Sequence, residues 1–483
     1  MDLESVVLSA MRWSIIATIG VLCVACGSKT DDDHDTSSSS TIGGIGGMIG
    51  TGGSGGTTGT GGTAGGGAGI VVPPDATLPE RLSVASITMT EGVKAGVSNW
   101  RIWGTSSLGV APVFTAPLAN CETLVGFTTG SGNGVTARVA RLSVSDQLVE
   151  SYDLGGYELR GLAAEPDGHF GALLWSDSTD KIYVGRYDLA GATSWPLEEL
   201  TNSDNTPDDF GIGDSRLEYG AGKYGAYYHV HSTSGHEGDT MKWVDAATGG
   251  ESTAWAWGCS HSMSNLLRFN PGDSTFMPAC VTDCYPGTSG SFNTNSIGGL
   301  YINHSNGKIM DVDAGCNGSV AGELGGAALA PSGWLVAFNA HQNPATLGQA
   351  SYEPSSMDQD IGIATVGSGY SPGSVVWLTT TPNVEEADSS IARWQPSGAS
   401  DEQYIVGWAE SGTTYKLARI DRNGAVLEAA VDVSATASWG HRDDPFRVHD
   451  QGDVVWAWFD APGSTTLQVA RIASGNSPSC ASF

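Results

Sequence analysis

The sequence predicts an all-β protein, and three observations lead there. From about Pro79 onward, short runs rich in β-branched and aromatic residues alternate with Gly, Asn, Asp and Pro turns. No long stretch carries helical periodicity. A weak internal repeat recurs as Val139-Ala-Arg-Leu142, Val184-Gly-Arg-Tyr187, Leu417-Ala-Arg-Ile420 and Val469-Ala-Arg-Ile472. Met241-Lys-Trp-Val244 is a looser copy, and Ile361-Gly-Ile-Ala364 fits by position without the basic residue.

The repeat sets the architecture. Each copy follows another apolar strand, as in Phe170–Trp175, Tyr224–His231, Trp334–Ala340, Tyr404–Trp408 and Val454–Phe459. A Gly-containing turn comes next, as in Asp188–Gly191 and Asp421–Gly424, and then a further strand. A four-stranded unit of about 45–60 residues is the period of a β-propeller blade. Seven units start near residues 110, 157, 213, 264, 324, 390 and 445. The last lacks chain for a fourth strand. Arg81–Thr90 or Asn99–Trp103 is expected to supply it, closing the ring and removing an exposed edge. The rival architecture is two β-sandwich domains. No WD, kelch or sialidase signature is present.

The N-terminal segment reads differently. Arg12 is a short basic region, and Trp13 to Ala25 is an apolar run of signal-peptide length. It closes on Val24-Ala25-Cys26-Gly27. Small residues suit a narrow peptidase pocket, and the Cys26 thiol would receive the diacylglyceryl group. Cys23 stands where Leu is usual, and Asp2 and Glu4 make a poor leading region, which favours a start at Met11. An ordinary secretory signal with an incidental Cys is the alternative. After Cys26 come Asp31 to Asp35 and Ser37 to Ser40, then a Gly/Thr tract to about Gly69. Such a composition buries no core. As a flexible tether it would span roughly 35–40 Å. Cys26 and this tract resemble bacterial lipoproteins of the myxobacterial type, in which a lipobox is joined to a Gly/Thr-rich stretch. The resemblance covers the first seventy residues and implies an acylated, palmitate-bearing anchor at Cys26 in the cell envelope. Gly27 favours the outer over the inner membrane. The expected organisation is a signal peptide at 1–25, a lipidated Cys and disordered Gly/Ser/Thr tether at 26–75, and a propeller of no characterised family at 79–480.

Charge bounds the partners. The net charge is −30, with charged residues only 15% of the chain. Phosphates would be repelled, so nucleic acid is excluded as a ligand. The surface suits cations, basic proteins or neutral glycans. No second apolar segment is long enough to cross a membrane.

Propeller geometry turns the repeat into a map of one face. Second strands end at Asp177, at His229 and His231, and at Asp283, His341, Glu410 and Asp460. Thr128 and Thr129 fill that place in the first unit. Links between units add Asp204, Asp208, Asp209 and Asp214, then His261, then Glu385, Glu386 and Asp388, then His441, Asp443 and Asp444. These groups are expected around one mouth of the channel, where many loops converge. The densest cluster is His229, His231, His236, Glu237 and Asp239, with His261 arriving from the next link. Imidazole with carboxylate suits a divalent metal such as Zn²⁺, with Glu237 as candidate base. For Ca²⁺ only charge density speaks. Histidines hydrogen-bonded to backbone explain the same pattern. No nucleophile elbow or phosphate loop is present. The expected function is ligand or partner binding at the cell surface. The alternative is a metal-dependent extracytoplasmic hydrolase or lyase.

With Cys23 removed in the signal peptide and Cys26 acylated, six of the eight cysteines remain for disulfides in an oxidising compartment. Cys121 lies in the first unit and Cys480 in the last, so a Cys121–Cys480 bond would clasp the closure. Cys259 with Cys280 and Cys284 with Cys316 is the simplest local pairing. Cys280–Cys284 with Cys259–Cys316 is the alternative.

Overall fold

Inner and middle strands of a ring are covered on both faces by neighbouring sheets, so they carry continuous apolar runs. Phe170–Ser176 and Val454–Phe459 are buried along their whole length, whereas the outer strand Val426–Asp432 is largely exposed. The computed structural model describes residues 72–96, 110–132, 134–200, 214–231, 237–255, 259, 264–282, 298–302, 307–312, 322–340, 342, 359–439 and 444–483.

The described strands form seven four-stranded antiparallel sheets. Sheet 1 is Phe114–Pro117, Thr123–Ser131, Gly134–Leu142 and Leu148–Asp153. Sheet 2 is Glu158–Ala164, Phe170–Ser176, Lys181–Tyr187 and Glu198–Glu199. Sheet 3 is Ser215–Gly220, Lys223–His231, Glu237–Asp245 and Glu251–Trp255. Sheet 4 is Asn265–Asn270, Thr275–Thr282, Gly298–Ile302 and Gly307–Val312. Sheet 5 is Gly322–Ala330, Gly333–Ala340, Asp360–Gly367 and Pro372–Trp377. Sheet 6 is Glu386–Trp394, Gln403–Glu410, Thr414–Asp421 and Val426–Asp432. Sheet 7 joins Arg447–Val448, Val454–Phe459 and Thr466–Ile472 to the N-terminal strand Leu82–Thr88. Each sheet packs on the next, and sheet 7 packs on sheet 1. The result is an all-β propeller rather than two sandwiches.

Every sheet-to-sheet boundary has its own apolar cluster. Sheets 1 and 2 share Leu124, Val139, Leu159 and Phe170. Sheets 2 and 3 share Leu173, Val184, Leu217 and Tyr228, and sheets 3 and 4 share Tyr227, Met241 and Leu267. Sheets 4 and 5 meet through Met277, Leu300, Trp334 and Phe338. Leu335, Ile361, Tyr404 and Trp408 join sheets 5 and 6. Trp394, Trp439 and Trp456 dominate the boundary of sheets 6 and 7, and Phe127 with Phe459 closes sheet 7 on sheet 1. These tryptophans are buried packing residues.

The repeated basic residue has a structural task. Arg186 pairs with Glu165 at 2.7 Å, Arg141 with Glu122 at 3.2 Å and Arg471 with Asp453 at 3.4 Å. In each case the acid shortly precedes the second strand of the same sheet, so the pair ties the third strand to the turn below it. Arg419 instead pairs with Glu428 on the outer strand, at 3.4 Å.

Closure uses the first of the two expected segments; Asn99–Trp103 lies outside the described residues. Leu82 pairs with Ile472 and Thr88 with Thr466, in antiparallel register. The buried Arg81 donates to the carbonyls of Pro73, Pro74, Ala76, Ala473 and Ser474. Arg471 reaches Asp146 of sheet 1 at 2.6 Å. Cys121 and Cys480 form a disulfide with Cα atoms 5.2 Å apart, and Cys259 pairs with Cys280. Cys284 and Cys316 lie outside the described residues, as does Cys26.

Candidate functional site

The second-strand ends fall at the turns leading into the third strands. Asp177 and Asp460 are exposed there, and Glu410 is half-buried. Asp283, His341 and His441 lie outside the described residues. His229 is buried and faces Asp239 in register, and His231 faces Glu237 at the backbone level. The side chains of His231 and Glu237, and the whole of His236 and His261, fall outside what is described.

The described part of that cluster is committed to the fold. Asp239 accepts from the Cys259 N–H at 3.0 Å and from the Tyr227 hydroxyl. Its own N–H donates to the Cys259 carbonyl at 3.1 Å. Asp239, Cys259 and Cys280 form a tight buried group, but the Cys259–Cys280 bond leaves no thiolate for a metal. Asp239 therefore pins the disulfide loop onto sheet 3.

The channel centre is filled with matched charge. A cavity of about 280 Å³ is lined by residues of all seven first strands, among them Thr115, Leu162, Glu218, Arg268, Ile391 and Arg447. Arg268 of sheet 4 reaches across to Asp444, just ahead of sheet 7. Asp444 also takes Arg447 at 3.3 Å and lies 4.0 Å from Arg216. Arg216 pairs with Asp214, whose carboxylate accepts the N–H groups of Ser215 at 2.9 Å and Asn265 at 2.7 Å. Burial draws Arg268 down to about 10 and pushes Glu218 up. Sequence reading placed Asp214 and Asp444 at the mouth but missed their arginines. The signal was an Arg inside apolar first strands of a chain poor in cations.

Sheets 5 and 6 build a different arrangement on the face of the second-strand ends. The first strand of sheet 6 opens with a bulge between Ala387 and Ser390, where Asp388 is left-handed at φ 50°. Glu386 stands opposite Glu410 in register. Its N–H donates to the Gln359 carbonyl at 3.3 Å, and its Oε2 accepts from Thr379. Asn339 donates to Gln359 and, at 3.2 Å, to Glu323. Asp360 accepts from Gln342 at 2.8 Å and from the Thr381 N–H at 3.0 Å. Burial pushes Glu386 up to about 7; Asp360 and Glu410 add to the rise against the hydroxyls of Thr379 and Thr381. Glu385 is raised by burial, then by Glu323 and Asp388. Among the described residues, no basic side chain counters either shift. Lys416 pairs with Glu410 at 3.6 Å, at the margin of the group. The geometry offers hydrogen-bond acceptors and negative charge, with one carboxyl able to exchange a proton near neutrality.

No protein-family model matches the chain, and no curated protein matches it. Solved structures with a similar fold include an α-L-arabinanase from Penicillium chrysogenum, at 10% identity and a TM-score of 0.42, covering 81% of this chain and 99% of that one. The polysaccharide lyase Uly1 has 9% identity and a TM-score of 0.41, covering 81% and 99%. The WD40 domain of Toxoplasma gondii coronin has 9% identity and a TM-score of 0.39, covering 81% and 86%. Likenesses this distant say nothing about chemistry.

Proposed function

We propose that this chain is a lipid-anchored, extracytoplasmic binding protein that presents the acidic head of sheets 5 and 6 to a positively charged ligand. One observation carries the reading: Glu386 stands opposite Glu410 in a carboxylate group where, among the described residues, no basic side chain counters the raised pKa values of Glu385 and Glu386. Buried like charge costs stability unless something neutralises it, so the arrangement suits a ligand that brings the missing charge. The net charge of −30 would steer a basic protein surface or an amino-bearing glycan toward that face and keep nucleic acid away. The Val24-Ala25-Cys26-Gly27 sequence supports attachment through lipid, with the outer membrane favoured, and the Gly/Thr tract gives the propeller reach from the surface.

The test uses the full chain. Cys26→Ser should release it from membranes, and mass spectrometry of the mature N-terminus should find an acylated Cys26. An unmodified N-terminus elsewhere rejects the anchor. Arrays of basic peptides and amino sugars should retain the protein in a salt-sensitive manner. Glu385→Gln with Glu410→Gln should abolish retention, while Asp401→Asn, in the opposite turn of sheet 6, should not. Retention indifferent to salt and to the double variant rejects the acidic face as the site.

A second reading is acid–base catalysis, favoured by the Glu386 carboxyl near 7 beside Asp360 and Glu410. It locates chemistry at Glu386 rather than in a metal held by the histidine cluster. Turnover of a glycan or ester substrate lost in Glu386→Gln would support it.

A further inference from the structure

Four buried side-chain oxygens lie on the strands Gly333–Ala340 and Glu386–Trp394, which pack together where sheets 5 and 6 meet, and none makes a hydrogen bond. They are Asn339 Oδ1, Glu386 Oε1, Ser389 Oγ and Ser390 Oγ. Their residues are at most 1% exposed. Buried polar atoms in native proteins nearly always find a partner, so a concentration of orphans points to a missing water or ion. Contacts tie the group together. Asn339 donates to the Gln359 side chain, and the Gln359 carbonyl accepts from the Glu386 N–H. Gly325 packs so closely on Ser389 that a Cβ there would collide with the serine. The next glycine, Gly326, faces Asp444, so the group adjoins the channel.

The chemistry of the orphans identifies the missing partner. An amide oxygen and a carboxylate oxygen only accept. A water could donate to them but would leave the charge uncompensated. Among the described residues, the charges that reach Glu386 are those of Asp360 and Glu410, both negative. A cation satisfies the acceptors and the field together. The donors are carboxylate, amide and hydroxyl oxygens without nitrogen or sulfur, which selects a hard ion over Zn²⁺. Among hard ions, Ca²⁺ tolerates mixed oxygen ligands in flexible geometry, whereas Mg²⁺ demands a near-ideal octahedron and retains water.

We propose that the head of sheets 5 and 6 binds a calcium ion, with Glu386 Oε1 and Asn339 Oδ1 among its ligands and the Ser389 hydroxyl beside them. The site is distinct from the histidine cluster of sheet 3. It does not rest on the docking of a basic ligand, since an ion here would equally serve to brace sheet 5 against sheet 6.

The experiment is equilibrium dialysis of the chelator-stripped full chain against CaCl₂, with elemental analysis and thermal unfolding. The expected result is about one Ca²⁺ per chain at concentrations on the order of 1 mM or below, with a rise in Tm that MgCl₂ does not reproduce. Glu386→Gln should lose both binding and the rise in Tm. Asn339→Leu should weaken affinity by about tenfold or more. Circular dichroism in chelator establishes that each variant folds, and Asp401→Asn serves as the acidic control. No bound Ca²⁺ in the wild-type chain overturns the proposal. So does binding that survives Glu386→Gln and Asn339→Leu, which would place the ion elsewhere.

Discussion

The carboxylates of the channel and those at the head of sheets 5 and 6 are treated in opposite ways. In the channel, Asp214 and Asp444 are met by Arg216, Arg268 and Arg447. At the head of sheets 5 and 6, Glu385 and Glu386 face other acids. Desolvation opposes charge at both places. Pairing resolves it in the first, and the carboxylates there become part of the scaffold. In the second no described basic side chain resolves it. Burial of charge therefore does not mark a site by itself. Burial without compensation does, because a folded protein retains that cost where a ligand or ion removes it.

The sharpest way to break the comparison is to make the channel resemble the rim. Asp444→Ala would leave Arg268 and Arg447 buried without their shared partner. Removing one member of a buried ionic group costs about 3–5 kcal/mol. Urea unfolding should show that loss; a change below about 1 kcal/mol would mean that the network is solvated.

The reverse change should have the opposite sign. Glu386→Gln keeps the shape and removes a carboxylate from beside Asp360 and Glu410. In chelator at alkaline pH, where the carboxyl is ionised, the variant should be more stable than the wild type by about 1–3 kcal/mol. Destabilisation in chelator would show that the carboxylate has a compensating partner after all.

A smaller effect comes from a buried group that stays neutral. His449 bonds Thr123 through Nε2 at 3.0 Å, and burial, then Arg471, hold its pKa well below the usual imidazole range. Its unfolded pKa is near 6.5, so below that pH the unfolded chain takes a proton that the folded chain refuses. Stability from this group is complete above about pH 6.5 and falls with acidification, by at most about 1.4 kcal/mol per pH unit. Comparing denaturation midpoints at pH 7.5 and 5.5 in wild type and His449→Gln should show a shallower acid loss in the variant. Equal slopes would assign the loss to other groups.

Much of this was written along the chain itself. Strand, turn and repeat follow from local patterns: short apolar runs, Gly turns and the Val-Ala-Arg copies need only near neighbours. That an N-terminal segment closes the ring followed from counting strands, and the structure chose Leu82–Thr88 over the alternative near Asn99. The Cys121–Cys480 pairing followed from closure, although 359 residues separate the two. The polar face was also legible, since Glu385, Glu386, Asp388 and Glu410 occupy loop ends that the repeat assigns to one side. What each charge does there was not legible. The sequence favoured the histidine cluster, yet Asp239 turned out to hold a disulfide loop. The sequence places Arg447 three residues after Asp444, but it does not show that Arg268, 176 residues away, shares that carboxylate, or that Glu386 stands beside Asp360 and Glu410. Only the closed ring decides which charges meet. Desolvation and Coulomb energy depend on distances through space, and the sequence encodes those only once every sheet is in place.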